Sequence, residues 1–328
     1  MTSIPLYTPS PRASRLWRIA QTVGLIATGG LVAGLFVAQD VTLFVLWNVL
    51  IPLVPLSLMV SPLIWRNVCP LASLNLAWRR SGTGKLTNGL ATKAAVVSIL
   101  LLALLVPARR FVFNTNGPVL AVVIVVVGLL ALAMGFGFDA KAGFCNALCP
   151  VLPVERLYGQ SPLLRVPNAR CGTCSLCTSR GCIDLAPEKS IAQTFGATRQ
   201  SARWLSTPFG IFAAAFPGFI IAYYTTPDVA LASAGAVYGH VALWVAGSYL
   251  LVALAVGLLR LPSTPVLVVL GAVALSLYYW YAVAVVLTAF GVTDTLWPMV
   301  GRGLFLLVIA IWLAEALPKA LPRSERAA

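Results

Sequence analysis

Charge is what this sequence has least of. Only 10% of its 328 residues are charged and nine are acidic, whereas 59% are hydrophobic. A soluble domain carries about 25% charged residues, so the bulk of the chain is expected in lipid. Histidine is nearly absent too: His240 stands alone, which excludes the bis-histidine ligation of a spanning b-type haem. There is no Walker loop, no metalloprotease histidine pair and no nucleophile elbow. Gly135-Phe136-Gly137-Phe138 is too short for a dinucleotide fingerprint and falls in an apolar stretch. The net charge of +14 comes without any basic–aromatic nucleic-acid motif, so nucleic acid is not an expected partner. The first apolar stretch lacks an A-x-A cleavage signal and reads as a retained helix.

What is present is long apolar sequence. A spanning helix needs roughly 20 apolar residues. Stretches near 19–38, 41–64, 88–107, 118–138, 206–224, 235–259, 265–290 and 296–317 qualify, giving eight spans. Pro52, Pro55 and Pro62 interrupt the second, which should be kinked or have its freed carbonyls satisfied by neighbouring helices. The third is short unless Lys93 snorkels to the interface, which leaves seven as the other count.

Orientation follows from the bias of lysine and arginine. With the N-terminus inside, all but Arg109, Arg110 and Arg302 of the 23 basic residues fall in cytoplasmic segments. Both termini are then cytoplasmic, in an inner (cytoplasmic) membrane. The same topology puts all seven cysteines on the cytoplasmic side or at its edge. Thiols in a reducing compartment are available to metal rather than to disulfides.

Cys171, Cys174, Cys177 and Cys182 form a C-x2-C-x2-C-x4-C run. Soft thiolates converging from a turning loop suit an iron–sulfur cluster, and the run is one residue longer than C-x2-C-x2-C-x3-C-P. Zinc sites instead pair two C-x2-C units across a longer gap. Cys145 and Cys149 form a C-x3-C-P piece, and Cys69 precedes Pro70. A weak repeat links them: Val68-Cys69-Pro70-Leu71 ends the first helical hairpin and Leu148-Cys149-Pro150-Val151 ends the second. The short segments after each pair, 71–80 and 151–158, read as interfacial helices.

Two arrangements stay open. Cys149 completes the site of Cys171, Cys174 and Cys177 while Cys182 joins Cys69 and Cys145; or the run is self-contained, and Cys69, Cys145 and Cys149 form a three-thiolate site. Two all-cysteine four-iron clusters need eight thiolates and the chain has seven. One [4Fe–4S] cluster is expected, and a second, three- or four-iron, is left open.

His240 and Tyr238, with Arg302, could line a quinone pocket on the outer face; a hydrogen-bonded interfacial histidine is the plainer reading. Arg302 and Glu315 lie near the ends of the last span, where snorkelling accounts for them. The basic inner loops suit anionic lipid or an acidic redox partner.

Through Phe144-Cys145-Asn146-Ala147-Leu148-Cys149-Pro150, followed by Cys171-Gly172-Thr173-Cys174-Ser175-Leu176-Cys177, the chain resembles the membrane ferredoxins of the NapH, NosR and CcoG type over about residues 40–190. The resemblance implies electron transfer between the quinone pool, or a soluble ferredoxin or flavoprotein donor, and a partner protein in a membrane complex. The chain departs from the family pattern at Trp65, where an earlier cysteine would stand, and in having one ferredoxin-type run.

The expected protein is an all-α integral membrane protein of about eight transmembrane helices with a small cytoplasmic ferredoxin-like, cysteine-rich loop. Its parts are a four-helix half (1–140), an iron–sulfur segment (141–203) and a second four-helix half (204–328). The expected role is electron carrier or oxidoreductase subunit; a zinc-stabilised membrane anchor or assembly subunit, and a quinol-oxidising subunit, are the alternatives.

Overall fold

Arg15–Val37, Gln39–Val60, Gly89–Arg110, Gly117–Gly137, Pro208–Thr225, Leu231–Leu259, Ser263–Ala289 and Leu296–Ala320 are long and apolar enough to cross a membrane. They coincide with the eight expected spans to within a few residues at most ends. The computed structural model describes residues 11–77, 87–138, 143–164 and 202–321, and among these there is no β-strand. Over the described residues the chain is an all-helical, multi-pass membrane protein.

The first half runs α1 (Pro11–Val37), α2 (Gln39–Val45), α3 (Ile51–Val60), α4 (Pro62–Val68), α5 (Pro70–Leu76), α6 (Asn88–Leu105) and α7 (Gly117–Gly137). A short α8 (Leu152–Tyr158) follows, and then α9 (Pro208–Thr225), α10 (Ala234–Leu259), α11 (Ser263–Ala289) and α12 (Leu296–Ala320). Three starts are capped by side chains. Thr87 accepts from the Leu90 N–H, Asn116 from that of Val119 and Thr207 from that of Gly210. Pro118 and Pro208 sit where a first-turn helix needs no N–H.

The second span is broken as its prolines require. A π-turn at Leu46–Leu50 leads into Pro52. Pro55 cannot donate to the Ile51 carbonyl, which instead accepts from the Tyr278 hydroxyl at 3.5 Å; Tyr279 donates to the Pro52 carbonyl at 3.0 Å. Ser61 is extended (φ −167°, ψ 116°) and ends α3. The last carbonyls of α3 are met by a returning strand of chain: Leu163 N–H donates to Met59 at 3.1 Å and Leu164 N–H to Val60 at 2.8 Å.

Helices α9 and α11 are the most enclosed spans, whereas α1 and α10 face outward. Lipid tails are as apolar as leucine, so such helices associate through close packing of small residues. Gly218 on α9 is one such point. A Cβ there would lie 2.2 Å from the Trp244 carbonyl oxygen of α10.

The two halves share one core, in which Leu58, Met59, Leu102, Val154, Leu157 and Tyr158 pack with Trp204, Phe212, Phe216, Leu267, Leu275 and Trp312. Helix α8 lies at its middle and touches α3, α6, α9 and α11. Gln160 ties its end to α11 by donating to the Leu267 carbonyl at 2.9 Å, and Trp312 donates to Ser161 at 2.7 Å. Segment 151–158 is therefore not the interfacial helix expected of it: six of the seven residues of α8 are buried by protein. Its charged pair, Glu155-Arg156, resembles an interfacial end in sequence, but Glu155 is buried and paired with Arg66.

Candidate metal centre

Cys69, Cys145 and Cys149 come together at one end of the bundle, in an apolar cluster with Ala72, Ala131, Phe144 and Leu148. Cys69 and Cys149 are free thiols. Cys171, Cys174, Cys177 and Cys182 lie outside the described residues, as does most of the expected iron–sulfur segment.

The Cys-Pro repeat is also a repeat of geometry. A proline excludes the helical conformation for the residue before it. Cys69 has φ −61° and ψ 125°, and Cys149 has φ −58° and ψ 119°. In each copy the chain then turns into a short helix whose first N–H groups have no partner within the helix. The sulfur lies toward that place: the N–H groups of Ala72 and Leu71 favour the anionic form of Cys69, and that of Val151 favours the anionic form of Cys149. The carbonyls are held as well, by Ser73 Oγ on Cys69 at 3.2 Å and Ser98 Oγ on Cys149 at 2.6 Å.

Cys145 is delivered differently, on the π-turn Phe144–Leu148. Close approach of α5 to α7 brings Cys69 to it. Gly135 permits that approach, because a Cβ there would sit 2.4 Å from the Asn75 carbonyl oxygen. Asn75 also donates to the Ala131 carbonyl at 2.9 Å.

Beneath the thiols lies a buried charge network. Arg66 Nε donates to Glu155 at 2.6 Å, and the side chains are 2% and 5% exposed. Arg66 also donates to Asn146 Oδ1 and, at 3.4 Å, to the Cys145 carbonyl. Arg66 and Asn146 occupy the same place in the two repeats, three residues before the Cys-Pro pair, so this hydrogen bond joins the copies. Arg156 lies beside them, its Nε buried and without a hydrogen-bond partner among the described residues. Burial, and then the charge of Arg66, pull its pKa down to about 10, and Glu155 opposes them. It is a cation at neutral pH.

Burial pushes the Cys69 thiol up, although its two N–H donors and Arg66 hold it back. The Cys149 thiol is pushed well above its ordinary value, first by burial and then by Cys145 and Cys69 as neighbours. Without compensation these sites favour neutral thiols; a bound metal reverses that preference, since it deprotonates coordinating thiols. Among the described residues, no three His, Cys, Asp or Glu side chains are placed to hold a single metal ion. What the site offers is three soft sulfurs in one apolar cluster beside the buried Arg66–Glu155 pair.

Arg66, Asn146, Glu155, Arg156 and Ser98 were missed as site residues by sequence reasoning. The matched offset of Arg66 and Asn146 was the available signal. Trp65, at the place where the resemblance would put a cysteine, packs on the large core.

The expected outer-face residues sit on two helices, Tyr238 and His240 on α10 and Arg302 on α12, and engage different neighbours. His240 Nε2 is 3.2 Å from Thr225 Oγ1 on α9, and Tyr238 donates to the Leu104 carbonyl at 2.8 Å. Arg302 donates to the Trp280 carbonyl of α11 at 2.7 Å and lies over the Trp280 ring. Glu315 pairs with Lys319 one turn on, at 3.7 Å and largely exposed. At the end remote from the cysteines, Arg109 and Arg110 clasp Tyr223: Arg109 donates to its hydroxyl at 2.8 Å, Arg110 to its carbonyl at 3.0 Å. Comparison of the chain with known protein families, with curated proteins and with solved structures finds no match.

Proposed function

We propose that this protein is a membrane electron carrier whose cysteines hold one or two iron–sulfur clusters at one end of the bundle. The observation that carries the reading is the convergence of Cys69, Cys145 and Cys149 in one cluster beside the buried Arg66–Glu155 pair. Three thiols from segments far apart in sequence, with N–H groups that favour the anionic form of two of them, have little purpose as packing alone. The anchored stretch that ends at Leu164 leads on in sequence to the Cys171–Cys182 run, which supplies four more thiolates. Arrangement and motif together favour a membrane ferredoxin of the type the cysteine motifs resemble, and they favour iron over zinc.

A bound cluster would supply reversible one-electron transfer. The protein would hold it with cysteine sulfurs, keep water from Cys145 and Cys149 with Phe144 and Leu148, and stabilise its negative charge with N–H groups and arginine. A donor and an acceptor, a quinol or a soluble protein on one side and a partner protein on the other, complete the proposed role.

The test is anaerobic purification with metal analysis, followed by electron paramagnetic resonance during a dithionite titration. Iron with inorganic sulfide and a reducible signal is the expected result. Stoichiometric zinc without reducible iron would sink the electron-transfer reading in favour of a structural metal. A quinol analogue added in place of dithionite identifies the donor: reduction by it supports the quinone pool, and its absence points to a protein donor.

A further inference from the structure

The two copies of the Cys-Pro repeat differ in one backbone hydrogen bond. Trp65, Arg66, Cys69 and Pro70 correspond in order to Cys145, Asn146, Cys149 and Pro150. In the first copy the chain is an ordinary helix up to the cysteine, and the Cys69 N–H donates to the Trp65 carbonyl, four residues back, at 2.8 Å. In the second the Cys149 N–H reaches one residue further, to the Phe144 carbonyl at 3.0 Å, and this bond makes the π-turn. The Cys145 carbonyl thereby loses the N–H that an ordinary helix would give it, and Pro150, next in line, has none to offer. Arg66 brings a donor across from the first copy. Its Nη2 donates to the Cys145 carbonyl at 3.4 Å and its Nη1 to Asn146 Oδ1, while its Nε is paired with Glu155 of α8 at 2.6 Å.

We propose that Arg66 is the positioning residue of the Cys145–Cys149 turn: its planar fork fixes the π-turn, and with it the place of Cys145 relative to Cys149. Glu155 balances its charge. The first copy has Trp65 where the second has a thiol, and the residue beside Trp65 serves the second copy instead. Without the guanidinium, the Cys149 N–H is free to return to the Cys145 carbonyl, as in the first copy, and Cys145 shifts against Cys149. The service of Arg66 to a cluster rests on the reading above that these cysteines serve one; no metal held by Cys69, Cys145 and Cys149 alone is required. The plainer role of Arg66 is half of a buried ion pair that stabilises the bundle. An ion pair needs only the charge, which lysine keeps. The turn needs three nitrogens at fixed angles, and lysine has one.

The test is Arg66→Lys in the full chain, prepared metal-free in mixed micelles. Each cysteine is alkylated with N-ethylmaleimide and its rate is followed by mass spectrometry of its peptide. Cys145, 6% exposed in the intact protein, should react about tenfold faster, as expected of a local opening, while Cys69 changes little. Asn146→Leu removes the side-chain acceptor on the turn and leaves the ion pair in place. It should also quicken Cys145, and it decides the matter if Arg66→Lys does not fold. A second readout is spectroscopic. In the anaerobically purified chain, Arg66→Lys should alter the line shape of the reduced paramagnetic signal, because the ligand angles at iron change.

Cys145 reacting at the wild-type rate in either folded variant would overturn the positioning role. So would an equal rise at all three cysteines, which marks general loosening, and so would a reduced-state signal that Arg66→Lys leaves unchanged. A wild-type chain without reducible iron refutes the electron carrier; release of Cys145 alone in Arg66→Lys then still upholds Arg66 as the residue that sets the turn.

Discussion

Removing Glu155 should cost more than removing Arg66, and the structure says why. Both side chains are at most 5% exposed and joined at 2.6 Å. Breaking a buried ion pair from one side costs about 3–5 kcal/mol, because the remaining charge is left without compensation. In Glu155→Leu the carboxylate that pairs with Arg66 and offsets the charge on Arg156 is removed, so the loss should reach the upper part of that range. In Arg66→Met the carboxylate keeps a cation nearby, Arg156, and the loss should stop at about 2–3 kcal/mol, near the lower limit. The double variant Arg66→Met/Glu155→Leu restores the wild-type charge sum and fills the space with apolar atoms. Such replacements are often neutral, so most of the loss should return. Equilibrium unfolding of the metal-free chain in mixed micelles, followed by circular dichroism, gives the three values and their coupling. A Glu155→Leu loss within about 0.5 kcal/mol of wild type, the range of surface substitutions, would refute the reasoning. So would an Arg66→Met loss larger than that of Glu155→Leu.

Three further outcomes are expected. Gly135→Ala places a Cβ 2.4 Å from the Asn75 carbonyl, forcing α5 from α7; a loss of about 1–3 kcal/mol is expected, with raised alkylation of Cys69 as the local readout. At the remote end, Asp228→Asn should cost under about 1 kcal/mol, because the carboxylate paired with Arg110 is 47% exposed. Arg110→Ala should cost more in the same unfolding assay, since it also loses the Tyr223 carbonyl bond and ring contact. Burial raises the Cys69 and Cys149 thiols, so the folded metal-free chain holds these protons more tightly than the unfolded chain. The stability they contribute is complete below the unfolded value and is lost as pH rises towards the folded values, at up to about 1.4 kcal/mol per pH unit per thiol. Melting midpoints should therefore fall between about pH 8.5 and 9.5, and fall less in Cys149→Ser.

Length and apolar composition made the eight spans legible, because a bilayer leaves a chain few other ways to satisfy its backbone. The prolines of the second span likewise announced the break at Ser61 and the carbonyls that Tyr278 and Leu163 come to meet. The Cys-Pro repeat was legible as a pattern, and its matched backbone angles follow from proline alone. Less could be read of what lies under it. Arg66 looked like one of the basic residues that set topology, and Glu155-Arg156 like the polar end of an interfacial helix. Their burial depends on contacts between residues 80–89 positions apart, which no local periodicity records. The π-turn that presents Cys145 is equally silent in sequence, as is the packing that encloses α8.

X-ray absorption at the iron edge of the anaerobically purified chain tests the central claim most directly. Thiolate-held clusters predict iron surrounded by sulfur with iron–iron scattering beyond it, and a reduced iron count in Cys149→Ser. Iron bound only by light atoms, or zinc in sulfur coordination with no iron, would contradict the account.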